Sequence, residues 1–302
     1  MNKILIINLL FILGVFHSVA QRQDSALFNL MPKIPDKITG PSQRANYLAI
    51  HYWDNFNFLD SVKLKQNRLL ERSFVDFIDL LSITSKDTID LAIQTLMKKA
   101  EIDPDMIITL AILSEKYLYE PDSPFADDEK YIPFMRYMIN SQKVAPENKI
   151  RPRFMLEYAS KNRKGEQADD FIYTLVNGDT ASLYAIDADY TLMFFKNPTC
   201  EECNKMTRKL MFSSAIDDLA KQGKLKILTI YLLDDVEEWK NHASSVLHSW
   251  IYARDAEQKI QAEGLYNIKR YPTLYLLDRD KKVLLKDTDF EHLEKYLQNP
   301  DK

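Results

Sequence analysis

The chain of 302 residues contains two cysteines, three positions apart, in Cys200-Glu201-Glu202-Cys203. Immediately before them stands an uninterrupted apolar run, Tyr190-Thr191-Leu192-Met193-Phe194-Phe195. A run of six such residues bounded by turn residues reads as a strand buried on both faces. The segment from Cys203 to Lys221 reads as the helix that follows, and Leu225–Leu233 as a second buried strand. Strand, helix, strand in that order implies a right-handed βαβ unit with parallel strands. The cysteine pair is thereby expected at the point where a central strand hands over to a helix. At that point the first thiol meets free backbone N–H groups and the positive end of the helix dipole, which favour a thiolate. The second thiol lies one turn further on, within reach of a mixed disulfide formed on the first. A bridge across two intervening residues closes almost no loop and adds little stability, so the pair points to redox chemistry. Zinc needs about four ligands, and there is no second cysteine pair. Copper or zinc held with His242 and His248 is the weaker reading beside solvated or packed histidines. No metal site is therefore expected, and no dissociable cofactor is needed.

The rest of the chain divides by its grammar. Residues 1–20 have the form of a signal peptide: Lys3, an apolar run from Ile4 to Phe16, and Ser18-Val19-Ala20 before the expected cleavage. No later stretch is long and apolar enough to span a bilayer, so the mature chain is expected to lack a transmembrane segment and to reside in the periplasm or cell envelope. That compartment permits disulfides. Residues 21–41 read as a leader rich in turn signals. Residues 42–161 carry helical periodicity throughout, with Asp103-Pro104 as a clear helix start, and predict an all-α domain for 42–161. Its aromatic cluster His51-Tyr52-Trp53-Asp54 is tempting as a binding surface but reads first as helix core. The polar segment 162–167 is taken as a linker. Residues 168–302 alternate strands and helices, with a hairpin turn at Asn177-Gly178-Asp179 and another across Asp278–Lys282. Six glycines in the whole chain argue against an all-β fold, and a net charge of −4 argues against nucleic acid as a partner.

From about Asp170 to Leu297 the chain resembles the thioredoxin superfamily, most closely its exported branch related to TlpA and ResA. The pieces that carry the resemblance are Phe194-Phe195-Lys196-Asn197-Pro198-Thr199-Cys200-Glu201-Glu202-Cys203 and Ile268-Lys269-Arg270-Tyr271-Pro272-Thr273-Leu274. The fold class it implies is an α/β thioredoxin-like C-terminal domain, a mixed sheet flanked by helices, behind the all-α domain. It implies a thiol–disulfide oxidoreductase in which Cys200 attacks and Cys203 resolves. It also implies a cis-proline at Pro272, with the Tyr271 backbone offered to an incoming peptide, so that Tyr271 and Pro272 are the substrate-binding residues. The partners implied are protein thiol or disulfide substrates and an external thiol reductant, with a membrane-bound carrier as the candidate.

Two departures stand out. Thr199 occupies the position where many members have Trp, and Phe194 the position where thioredoxins bury an acid. Glu201 and Glu202 beside the first thiol oppose the helix effect and point to a reducing or intermediate potential, on the reductase or isomerase side. The competing reading is a non-enzymatic envelope binding protein that docks partners through its helical half, with the thioredoxin fold as scaffold.

Overall fold

A computed structural model describes residues 31–59, 68–243 and 249–299. The expected signal peptide, residues 21–30 of the leader and His248 lie outside the described residues. The chain forms two compact units that meet between Leu156 and Glu157.

The first unit is helical: α1 (Pro41–His51), α2 (Leu69–Leu81), α3 (Lys86–Ala100), α4 (Pro104–Ser114), α5 (Asp128–Asn140) and α6 (Ile150–Ala159), the last of which crosses the boundary. The helix starts follow local chemistry. Asp103 accepts a hydrogen bond from Asp105 N at 3.0 Å while Pro104 supplies a preset φ at the first helical position. Asp127 accepts from Glu129 N at 3.0 Å and opens α5. A π-helical turn, Glu115–Tyr119, extends α4. Tyr52 and Trp53 are core residues: Trp53 is 1% exposed and its ring centroid lies 4.9 Å from that of Phe56. Their neighbours His51 and Asp54 pair at the surface, 2.7 Å apart.

The second unit is a mixed sheet. Its strands are β1 (Ile172–Leu175), β2 (Thr180–Ser182), β3 (Tyr190–Phe195), β4 (Leu225–Tyr231), β5 (Ile251–Arg254), β6 (Thr273–Asp278) and β7 (Val283–Lys286). They lie side by side in the order β2-β1-β5-β4-β3-β6-β7. β3, β4 and β5 run parallel, β6 runs antiparallel to β3, and the two edges are hairpins. The alternation of a strand explains why β3 is apolar throughout. Leu192 and Phe194 point into a core with Leu210, Ile216, Trp239, Leu274 and Leu293. Met193 and Phe195 point to the other side, against Ile230, Ile260, Tyr266 and Tyr275. The helices that flank the sheet are α7 (Glu201–Phe212), α8 (Ser214–Lys221), α9 (Val236–Asn241), α10 (Lys259–Ala262) and α11 (Phe290–Gln298).

Two expectations need correction. The helix expected to run unbroken to Lys221 is interrupted at Ser213, which leaves helical geometry (ψ 118°) and caps α8 through its hydroxyl. A serine that satisfies a free N–H competes with helix continuation, and the apolar period alone does not register it. Residues 162–167, expected as a linker, are built into the second unit. Asn162 is 5% exposed, and its side chain donates to Leu265 O (2.7 Å) and accepts from Asp169 N (2.7 Å). Gly165 N donates to Val283 O at 2.8 Å, and Gln167 bridges to Lys282. The polar side chains of this segment conceal a backbone that straps the β7 edge. An edge so covered is closed to further strand pairing.

Candidate active site

Register brings the site together. Phe195, the last residue of β3, pairs with Thr273, the first of β6. Because the two strands are antiparallel, the chain leaving Phe195 and the chain arriving at Thr273 emerge from the same end of the sheet. Cys200 and Tyr271 meet there. The turn between β3 and α7 is tied by Asn197, whose side-chain oxygen accepts from Thr199 N (3.1 Å) and Thr199 Oγ1 (2.9 Å). This is a local side-chain turn of the kind asparagine favours. Cys200 N then donates to Asn197 O at 3.1 Å.

Cys200 is the N-cap of α7, with extended backbone (φ −78°, ψ 118°). Its Sγ accepts a hydrogen bond from Cys203 N at 3.1 Å. The sulfur takes the place of the oxygen that normally caps a helix. On its other side Cys200 Sγ faces Tyr271 O at 3.7 Å. The Tyr271-Pro272 peptide is cis. Tyr271 is half-buried, its hydroxyl accepts from Gln261 Nε2 at 3.4 Å, and burial raises the phenol above its ordinary range.

The two thiols differ in access. Cys200 is half-buried and Cys203 is fully buried; both are free cysteines. Burial first, then the hydrogen bond and charge of Cys200, push the Cys203 thiol up to about 12. At neutral pH Cys203 therefore holds its proton while Cys200 faces solvent. Glu201 and Glu202 turn their side chains outward, 83% and 67% exposed, and share Lys205 at 3.1 and 2.7 Å. Charges so exposed and so paired act weakly on a neighbouring sulfur.

All four residues singled out from the sequence thus lie at one end of the sheet, in the two turns that flank it. One neighbour escaped that reading. Lys196, directly after β3, is only 4% exposed. Its backbone N–H donates to Ile230 O at 3.1 Å and continues the β3–β4 ladder, which holds its side chain inside. Lys196 Nζ lies 3.4 Å from Thr207 Oγ1 and 5.7 Å from the Phe194 ring centroid. Thr207 Oγ1 donates in turn to Cys203 O at 2.8 Å. The signal available in sequence was a lysine placed flush against a six-residue buried strand. Among the described residues no cluster of histidines, cysteines and carboxylates is arranged to hold a metal.

A mixed sheet with a thiol at the N-terminus of the helix after its central strand, facing an X-cis-Pro turn, defines a thioredoxin-like domain. Residues 187–283 match the family model described as thioredoxin-like, and residues 17–162 match that of a domain of unknown function, DUF5106. A crystal structure of a thioredoxin-like protein from Bacteroides caccae ATCC 43185 is 37% identical, with a TM-score of 0.85 over 89% of this chain and 97% of that one. The C-terminal domain of an uncharacterized protein from Bacteroides fragilis NCTC 9343 is 41% identical, covering 46% of this chain and 100% of its own (TM-score 0.46). Comparison with curated proteins gives no match. The chain belongs to the family of thioredoxin-like proteins, with a DUF5106 region ahead of the thioredoxin-like domain.

Proposed function

We propose that this protein is an exported thiol–disulfide oxidoreductase that exchanges a Cys200/Cys203 dithiol with disulfides of protein substrates in the cell envelope. The observation that carries the proposal is the asymmetry of the pair. The half-buried Cys200 Sγ is capped by Cys203 N–H at 3.1 Å, and the Cys203 thiol is sealed beneath it with its proton retained. In this reading Cys200 attacks a substrate disulfide and forms a mixed disulfide. Cys203 then attacks Cys200 Sγ, the Cys200–substrate bond breaks, and a reduced substrate thiol leaves. Tyr271 and Pro272 form the wall against which the substrate peptide lies, since the Tyr271 carbonyl is already turned toward the reacting sulfur. Recharging the pair requires an external thiol reductant, with a membrane-bound carrier as the candidate. No helix among the described residues is long and apolar enough to cross a membrane. The scaffold reading has no comparable support, because a fold used only for docking has no need of a capped thiol over a sealed one.

Cys203→Ser tests the assignment of roles. It leaves the attack intact and removes the resolving thiol, so mixed disulfides with envelope proteins accumulate and dissolve on reduction. Capture of no such species by this variant, while the wild type reduces disulfides, would reverse or remove the assigned roles.

A further inference from the structure

We infer that Lys196 is the charge and proton partner of Cys203, and that it makes the buried thiol competent to resolve the mixed disulfide. The inference rests on the exchange reading above and assigns it a residue on which the second step depends.

Lys196 is a lysine inside the protein without a counter-ion. It is 4% exposed, and among the described residues no carboxylate pairs with it; its polar contact is the Thr207 hydroxyl at 3.4 Å. An unpaired buried ammonium is costly, and the usual outcome is partial loss of its proton. Burial lowers Lys196 from the ordinary lysine range, and the groups that pull it back up are Cys203 first and then Cys200. Cys203 is the mirror case, a buried thiol without a carboxylate base, on which Lys196 is the neighbouring cation. Thr207 links the two, holding Lys196 Nζ on one side and the Cys203 carbonyl on the other. The remaining ionisable groups around the pair are Cys200 on α7 and Tyr271 before β6. Tyr271 has Tyr231 of β4 as its own neighbour and is held protonated by burial. Phe194, at the position where thioredoxins bury an acid, presents a ring face to the ammonium instead, 5.7 Å away.

Two such groups titrate together. When the pair has lost one proton, the remaining one resides on nitrogen or on sulfur, and both forms carry the same net charge. Internal transfer from sulfur to nitrogen therefore creates a thiolate without adding charge to the interior. In the resolving step the Cys203 thiolate attacks Cys200 Sγ. The Cys200–Cys203 bond forms as the Cys200–substrate bond breaks. The electron pair leaves on the substrate sulfur, which takes up the proton held by Lys196. The products are the protein disulfide, a substrate thiol and a neutral Lys196.

The test uses the full mature chain and an aromatic disulfide, DTNB, whose released thiol is coloured. Attack by Cys200 releases one equivalent, and resolution by Cys203 releases the second. In Lys196→Met, of similar length and apolar, the first phase stays within about threefold of wild type and reports an intact site. The second phase slows at least about tenfold at pH 7, the factor expected for one unit of lost thiolate stabilisation. The pH at which the second phase levels off rises, because loss of a neighbouring cation makes the thiolate harder to form. Lys196→Arg, which keeps the cation, restores part of the second-phase rate. Thr207→Val, which keeps the lysine but removes its anchor, falls between the two. An unchanged second phase and pH profile in Lys196→Met overturns the inference and leaves the exchange reading standing. A wild-type protein that releases a single equivalent overturns the exchange reading and the inference with it.

Discussion

Cys200→Ser loses disulfide reductase activity by at least on the order of 10³-fold while the protein folds as well as before. Both halves of that expectation come from the same geometry. Cys200 is the more accessible member of the pair, half-buried where Cys203 is fully buried, so no other thiol in the chain reaches a substrate. A serine hydroxyl is not ionised near neutral pH and does not take the place of a thiolate in exchange. As a helix cap, however, serine is among the favoured residues, and its oxygen is suited to accept the Cys203 N–H that the sulfur accepts at 3.1 Å. Thermal unfolding at or above the wild-type temperature, together with loss of insulin reduction, is the predicted combination. Substantial activity in Cys200→Ser would make Cys203 the nucleophile and contradict its burial.

The second large effect is on stability. Phe194→Ala destabilises the thioredoxin-like unit by about 3–5 kcal/mol, the range for removal of a fully buried aromatic ring. Phe194 is 0% exposed, in the middle of the sheet, with Thr229 of β4 on one side and Leu274 of β6 on the other. It packs among Leu192, Leu210, Trp239 and Leu293 under the helices that cover this face. For a unit of this size the expected fall in Tm is on the order of 10 °C, measurable by calorimetry on the full chain. Phe212, at the end of α7, is 84% exposed, and its replacement by Ala should stay within about 0.5 kcal/mol. The contrast between the two phenylalanines separates a packing effect from a general sensitivity to lost aromatic area. A mild Phe194→Ala would mean that the core around β3 collapses to fill the space.

Much of this architecture was legible in the residues because local and global signals agree there. The apolar run of β3 is buried on both faces, the cysteine pair caps the following helix, and Tyr271-Pro272 precedes the strand that pairs with β3. Asp103, Asp127 and Asp289 each cap the helix that follows. What was not legible depends on three dimensions. The order of strands places β5 between β1 and β4, and nothing in a four-residue strand specifies its neighbours. Asn162 and Gly165 look like linker residues, yet their hydrogen bonds to Leu265 and Val283 span more than a hundred positions of chain. Lys196 is hidden for the same reason. A lysine after a strand is ordinarily solvated, and only the continued pairing of its N–H with Ile230 keeps the side chain inside.

The departure at Phe194 gains its meaning from that same lysine. With no buried acid at that position, the described cation beside the sealed thiol is Lys196. The electrostatic problem of the second step is therefore posed in this chain with the opposite sign of charge from a thioredoxin, a cation to hold the thiolate in place of a carboxylate to take its proton.

In the proposed function Cys200 and Cys203 cycle between dithiol and disulfide. The most direct measurement equilibrates the purified mature protein in graded glutathione and dithiothreitol buffers and counts free thiols by alkylation and mass. The expected result is a reversible two-electron transition to an internal Cys200–Cys203 disulfide. Its midpoint should lie well below the roughly −120 mV of a strongly oxidising member of the fold. A pair that remains in one state across all ratios, or that forms only mixed disulfides and never closes, would contradict it.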